Sequence, residues 1–205
     1  MDNMEKCILD VPFNSKGKSA KFFDDCVEFN GQKVLYSEIE ALIAESSGVT
    51  VHTFVGIPMG RRFTASVTFK MNSGKSIHIN MNAVSMFGIP IIRNPRKNEQ
   101  LYPQLFNAVY SIVAKSMAQK YIDLIKEGTT VEVAGLEINS IEAKTKAKSS
   151  KNVVVINKDN YRECQITQNF GVAVFDKPGD VLFTSSIWSN KNVLLIPYIL
   201  DAIFV

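Results

Sequence analysis

The sequence predicts an α+β protein assembled twice over: a β-rich stretch closed by a helix, then a second β-rich stretch closed by another. Three observations predict it. Apolar residues keep a helical spacing through one long segment, Glu99 to Glu127. Short runs of β-branched and aromatic residues, separated by Gly, Asn and Pro turns, stand on both sides of that segment. The two helix-entering stretches also match in register: KNEQLYPQLFNAVY from Lys97 and KNVLLIPYILDAIF from Lys191 share Lys, Asn, Leu, Pro and Ala.

The totals are compatible with this plan. A chain of 205 residues, 46% hydrophobic and 21% charged, has the make-up of one large or two small globular domains and argues against extensive disorder. A formal net charge of +3 does not point to nucleic acid, which calls for a concentrated basic face. Cys7, Cys26 and Cys164 are odd in number and widely spaced, so neither a disulfide framework nor a zinc site is expected. The first residues mix Asp2, Glu5, Lys6 and Asp10, unlike a secretory signal, and no run approaches the roughly 18 apolar residues of a membrane span. A reducing, cytoplasmic setting is expected.

In chain order, residues 1–21 read as a lead-in, with one edge strand near Cys7 to Phe13. Residues 22–127 read as the first domain and 128–205 as the second. Asn30-Gly31 between Cys26–Phe29 and Gln32–Tyr36 is a strong hairpin signal, because a two-residue turn needs positive φ at both positions. Ser37 to Glu45 reads as strand then turn. Val49–Val55, Phe63–Met71 and Ser76–Met81 read as strands, and Asn82–Asn98 as a long loop.

The helix follows, with two apolar stripes. Leu101, Leu105, Ala108, Val109 and Ile112 form one; Phe106, Tyr110, Val113, Met117, Tyr121 and Leu124 form another, about a third of a turn away. Gly128 is placed as the C-terminal stop. Strands are then expected at Val131–Val133, Leu136–Ile141, Val153–Ile156, Tyr161–Thr167, Phe170–Phe175 and Val181–Trp188, with a short helix from about Asn192. Each helix carries a proline expected in its first turns, where a missing N–H costs little.

The repeat extends upstream. Val27-Glu28-Phe29-Asn30-Gly31 answers Val131-Glu132-Val133-Ala134-Gly135, Tyr36-Ser37-Glu38 answers Tyr161-Arg162-Glu163, and Gly48-Val49-Thr50-Val51 answers Gly171-Val172-Ala173-Val174. This layout resembles a pair of pleckstrin-homology-like (PH-like) barrels over Phe22 to Val205, and is similar to an uncharacterised bacterial group of tandem PH-like proteins. A helix ending like Lys120-Tyr121-Ile122-Asp123-Leu124-Ile125-Lys126-Glu127-Gly128 leads into the second barrel of that group. Tyr36 and Tyr161 stand where the group usually has a tryptophan-like position. The resemblance implies two β-barrels, each closed by a C-terminal helix, and a scaffold for lipid, peptide or protein binding; it transfers no catalytic residue.

Candidate ligand-binding residues are basic. Lys144, Lys146 and Lys148 alternate, so an extended backbone puts three ammonium groups on one side, where they could hold phosphate or an acidic peptide or simply protect a strand edge. Arg61, Arg62, Arg93, Arg96 and Lys97 stand near the turns Gly56-Ile57-Pro58 and Gly88-Ile89-Pro90, a pairing of cations with apolar residues that suits an anionic membrane surface or the plug of a barrel end. With a net charge of only +3 and these clusters on separate loops, weak or no binding to phosphatidylserine or phosphoinositide vesicles is expected at about 0.15 M salt.

For catalysis the residues argue the other way. His52 and His78 fall inside strands, Asp24 and Asp25 are adjacent, and Cys164 lacks a feature that would favour its thiolate. Gly17-Lys18-Ser19 and Gly74-Lys75-Ser76 lack the first glycine of a phosphate loop, with Pro12 and Phe69 in its place. The expectation is a non-enzymatic binding or scaffold module with no cofactor and no metal, working through a protein partner. An adaptor on anionic lipid is the alternative, and self-association is left open.

Overall fold

The computed structural model describes residues 6–13, 18–52, 58–86, 89–90, 95–145, 153–167, 171–186 and 190–205. Over these the protein is α+β, with four antiparallel sheets, and the described strands do not close into a barrel. The chain separates into two compact units, Met1–Glu40 with Ala44–Val113, and Ala41–Ile43 with Ala114–Val205.

In the first unit, β1 (Leu9–Phe13), β2 (Lys18–Phe22), β3 (Cys26–Phe29) and β4 (Gln32–Leu35) form one antiparallel meander. Where the sequence reads as a lead-in, the structure has two strands, paired from Leu9↔Phe22 to Phe13↔Lys18, and β2 continues the ladder into β3. They bury Val11, Ala20 and Phe22 completely. Too few apolar residues alternate in either strand to signal it alone; the pairing supplies the rest. Asn30 and Gly31 take φ of 51° and 76°, the primed turn expected between β3 and β4. Asp24 and Asp25 lie exposed in the bend before β3, outside any strand.

A 3₁₀ turn, Tyr36–Glu38, then redirects the chain into β5 (Ile39–His52), β6 (Pro58–Met71), β7 (Ser76–Met86) and β8 (Ile89–Pro90), the second sheet. The expected order of Ser37–Glu45 is thus reversed, turn before strand. Part of the expected 82–98 loop is instead the end of β7, strand β8 and the start of a helix. The ladder runs unbroken from Lys70↔Ser76 to Gly60↔Met86 and carries β7 past its apolar stretch. Val67, Phe69 and Ile79 are fully buried.

One helical run leaves this sheet: α1 (Pro95–Ala108), a π segment (Val109–Ala114) and α2 (Lys115–Lys126). Leu101, Leu105, Ala108 and Val109 are buried as the first stripe predicts. The hydroxyl of Tyr102 donates to the Glu45 carbonyl (3.0 Å), and its ring meets Phe63 edge-on at 6.0 Å. Pro103 stands nine residues into α1 rather than in its first turn, so one intrahelical hydrogen bond is lost there. Beyond the π segment the buried face is Met117, Ala118, Ile122 and Ile125, whereas Tyr121 and Leu124 of the expected stripe are only half-buried.

The π segment gives the physical reason. An i→i+5 closure takes in one residue more than an i→i+4 closure, so the downstream face lags by about one residue, or ~100°. The run stops at Gly128, φ 91°, whose N–H donates to Ile125 O while Thr129 N–H donates to Leu124 O. These are the two bonds of a Schellman cap.

The second unit repeats the order of elements. The strands β9 (Val131–Val133), β10 (Leu136–Ile138), β11 (Glu142–Thr145) and β12 (Val155–Asn157) make a four-stranded meander. A three-stranded one follows from β13 (Tyr161–Ile166), β14 (Val172–Asp176) and β15 (Val181–Ser185). The expected Trp188 end of the last strand lies outside the described residues. A 3₁₀ turn, Val193–Leu195, enters α3 (Ile196–Phe204), where Pro197 does occupy the first turn. Leu195, Ile196, Ile199 and Leu200 are fully buried.

Asn192 precedes that turn with φ 62°, a left-handed conformation that Asn tolerates. Its N–H donates to Leu42 O (3.0 Å) and its Oδ1 accepts from Leu42 N–H (2.8 Å). Both polar backbone groups of Leu42 are satisfied by one residue, which explains why Ala41–Ile43 counts with the second unit.

Candidate functional site

The basic residues singled out in the sequence fall in three places. Arg61 and Arg62 lie inside β6, not in a turn, opposite Ser85 and Val84 of β7; Arg62 is exposed. Arg96 and Lys97 are the second and third residues of α1, which has no acidic residue in its first turn. Cations there face the positive end of the helix dipole, an arrangement that local stability disfavours. Arg93 lies outside the described residues.

Lys144 is on β11, in the second unit. It is ion-paired with Glu142 two residues earlier and stands opposite Glu137 of β10. Side chains two apart on a strand share a face, so Glu142 and Glu137 both offset this ammonium group. Lys146 and Lys148 lie outside the described residues. The alternating lysines therefore contribute one described cation, and that one is matched by carboxylates.

In the second unit a polar trio joins β13 to α3. The Tyr161 hydroxyl donates to Asp201 Oδ1 across 40 positions of sequence and lies 3.5 Å from Cys164 Sγ, while its ring packs 5.9 Å from Phe204. Burial, and then the bond to Asp201, push the Tyr161 phenol above its ordinary value. Burial likewise pushes the Cys164 thiol up to about 12. A thiol that holds its proton so firmly is a poor nucleophile at neutral pH, so the trio acts as a clamp between a strand and its closing helix.

Tyr36 holds a comparable but not identical place in the first unit: it follows the fourth strand of the opening meander directly and opens a 3₁₀ turn, whereas Tyr161 comes after the turn 158–160 and is the first residue of β13. The Tyr36 hydroxyl donates to Phe23 O (2.9 Å), and burial, with Cys26 nearby, raises its phenol as well. The other repeated segments are not at equivalent places. Val27–Gly31 spans the third strand of its meander and Val131–Gly135 the first; Gly48–Val51 lies in β5 and Gly171–Val174 leads into the middle strand, β14.

His78 is exposed on β7 with Nδ1 2.9 Å from Thr68 Oγ1 directly opposite on β6, a cross-strand pair that satisfies the buried threonine. The side chain of His52 is not among those described. Among the described residues no group of His, Cys, Asp and Glu is placed to hold a metal ion, and no helix is long and apolar enough to cross a membrane.

Sequence reasoning missed the Tyr161–Asp201 bond and the Asn192–Leu42 exchange. The only local signals were a tyrosine recurring after a β segment and an Asn just before a helix. Searches against protein-family models, curated proteins and solved structures give no match for the chain.

Proposed function

We propose that this chain is a non-enzymatic binding or scaffold module of two PH-like units, working in the cytoplasm through contact with a partner protein. The observation that carries the reading is the element order. Four antiparallel strands, a turn with a buried tyrosine in it or just after it, a further antiparallel sheet and a closing helix occur in the first unit and again in the second. The chemistry-bearing side chains with described partners are engaged in holding elements together: Tyr161 with Asp201, Thr68 with His78, Tyr102 with the Glu45 carbonyl. Such an architecture offers surfaces and edges rather than a reacting constellation.

The test is affinity capture with the full chain, repeated reciprocally with the tagged partner. A single protein retained in both directions, with affinity that survives moderate salt, fits an interface resting on desolvated anchors. Turnover in hydrolase or transferase screens that is abolished by replacing Cys164, His52 or His78 would overturn the reading.

A further inference from the structure

The β6–β7 pair of the first unit has one face in the core and one polar face turned outward. Ala65, Val67, Phe69, Met71, Ile79 and Met81 are buried, so the residues between them point the other way. On β6 these are Thr64, Ser66, Thr68 and Lys70, with the exposed Arg62 two residues before Thr64. On β7 they are Ser76, His78 and Asn80, all exposed. The register sets Ser66 against Asn80, Thr68 against His78 and Lys70 against Ser76. The 2.9 Å contact of Thr68 Oγ1 with His78 Nδ1 confirms that the two columns share this face. Exposed Lys75 stands in the turn that joins the strands, its carbonyl accepting from Met71 N–H.

Charge and side-chain type narrow what such a face can hold. From Ser46 to Asn98 the chain has no Asp or Glu, where its average composition would place about five, so no carboxylate on β6 or β7 opposes an anion. Hydroxyl, amide and cationic groups together are the set that contacts nucleic-acid phosphate and sugar without reading sequence. Side chains two apart on a strand repeat at about 6.8 Å, and Arg62 to Lys70 spans about 27 Å. The ladder from Gly60↔Met86 to Lys70↔Ser76 has no bulge, so the strip is continuous, and β5 widens the sheet on the far side of β6.

We propose that this outer face of β6 and β7 binds double-stranded RNA through its phosphates and 2′-hydroxyls. Arg62, Lys70 and Lys75 face the phosphates, and the hydroxyl and amide side chains between them exchange hydrogen bonds with the sugar hydroxyls. An A-form duplex presents these groups along a wide, shallow minor groove on which a sheet face can rest. The minor groove of B-form DNA, about 6 Å wide, does not admit a sheet of three strands. A single strand exposes bases that call for stacking platforms, and this face has no Phe, Tyr or Trp. A bilayer calls for apolar side chains among the cations, and the face has none of those either. The net charge of +3, from which nucleic acid is not expected, averages over the strip and hides it. Nothing in this reading rests on the partner protein proposed above.

The experiment is fluorescence anisotropy of the full chain with a labelled RNA duplex of mixed sequence, about 20 base pairs long, between about 50 and about 200 mM salt. A DNA duplex of the same sequence and one RNA strand alone are the comparisons. The RNA duplex should bind tightest, and three phosphate contacts should give a log–log salt slope of about −3. Arg62→Gln with Lys70→Gln should reduce that slope by about two and weaken binding about a hundredfold at about 50 mM salt, while Lys144→Gln in the second unit should bind as the parent does. Ser66→Ala with Asn80→Ala should narrow the preference for RNA over DNA and leave the slope unchanged. If the Arg62–Lys70 double variant does not fold by circular dichroism, Lys75→Gln alone should reduce the slope by about one. No binding at about 50 mM salt, DNA or single-stranded RNA bound as tightly as the RNA duplex, or a slope unmoved by these replacements would each overturn the proposal. So would displacement of the RNA by poly-glutamate as readily as by unlabelled duplex.

Discussion

Ala134 occupies a backbone position that the first unit gives to Asn30, and the difference can be measured. In the β9–β10 hairpin, Ala134 and Gly135 have φ of 50° and 87°, close to the 51° and 76° of Asn30 and Gly31. Left-handed backbone costs an ordinary L-residue about 1–2 kcal/mol, whereas Asn visits it readily. Ala134→Asn should therefore stabilise the second unit by about 1 kcal/mol, and Asn30→Ala should destabilise the first by a similar amount.

Gly135→Ala separates backbone strain from crowding. No atom lies within 4 Å of a β-carbon built there, so its loss reports φ alone. Urea titration followed by circular dichroism should show the midpoint moving at constant m-value, and calorimetry should show a shift of about 2–4 °C per kcal/mol. If Ala134→Asn and Asn30→Ala both leave their midpoints unmoved, the two hairpins do not share the primed turn and the reasoning fails.

Gly171→Ala should destabilise by about 1–3 kcal/mol, because the added β-carbon would sit 2.8 Å from the Ser185 carbonyl oxygen, which is backbone and cannot swing away; a melting midpoint equal to the parent's would show that β14 and β15 separate there at little cost. Met117→Lys places a charge at a position 5% exposed and should lower the melting midpoint clearly, whereas a variant as stable as the parent would show that this face of α2 is wet. Cys164 holds its proton up to about pH 12 when folded, against about 8.5 for a free thiol, so the native state binds that proton more tightly. Its contribution to stability is full below about pH 8.5 and is lost as the pH rises toward 12, with Tyr161 acting in the same direction at higher pH. Near pH 9 iodoacetamide should modify the exposed Cys7 well before Cys164, and equal rates would contradict the clamp.

How much could be read from the chain alone follows from the range of the signals. The Asn30-Gly31 turn and the Gly128 cap each rest on a few neighbouring residues, and both have the backbone that those residues predict. The strands β1 and β2 and the far end of β7 depend on partners elsewhere in the ladder, so period-2 patterning under-reads them. The clamp of Tyr161 on Asp201 and the hold of Asn192 on Leu42 span 40 and 150 positions, and no local pattern announces either.

The start of β6 shows the same limit from the other side. Arg61 and Arg62 were in view as a basic cluster beside an apolar turn, but they read as loop residues because Gly56, Pro58 and Gly60 precede them. Strand pairing overrides that punctuation. The ladder keeps Gly60 opposite Met86 and Arg61 opposite Ser85, and β8 adds Ile89 and Pro90 to the same rows. The described part of the acid-free run from Ser46 to Asn98 then falls mostly on the strands β5 to β8 of the first unit. Net charge, an average over the chain, could not reveal it; a partition of charge by structural element does.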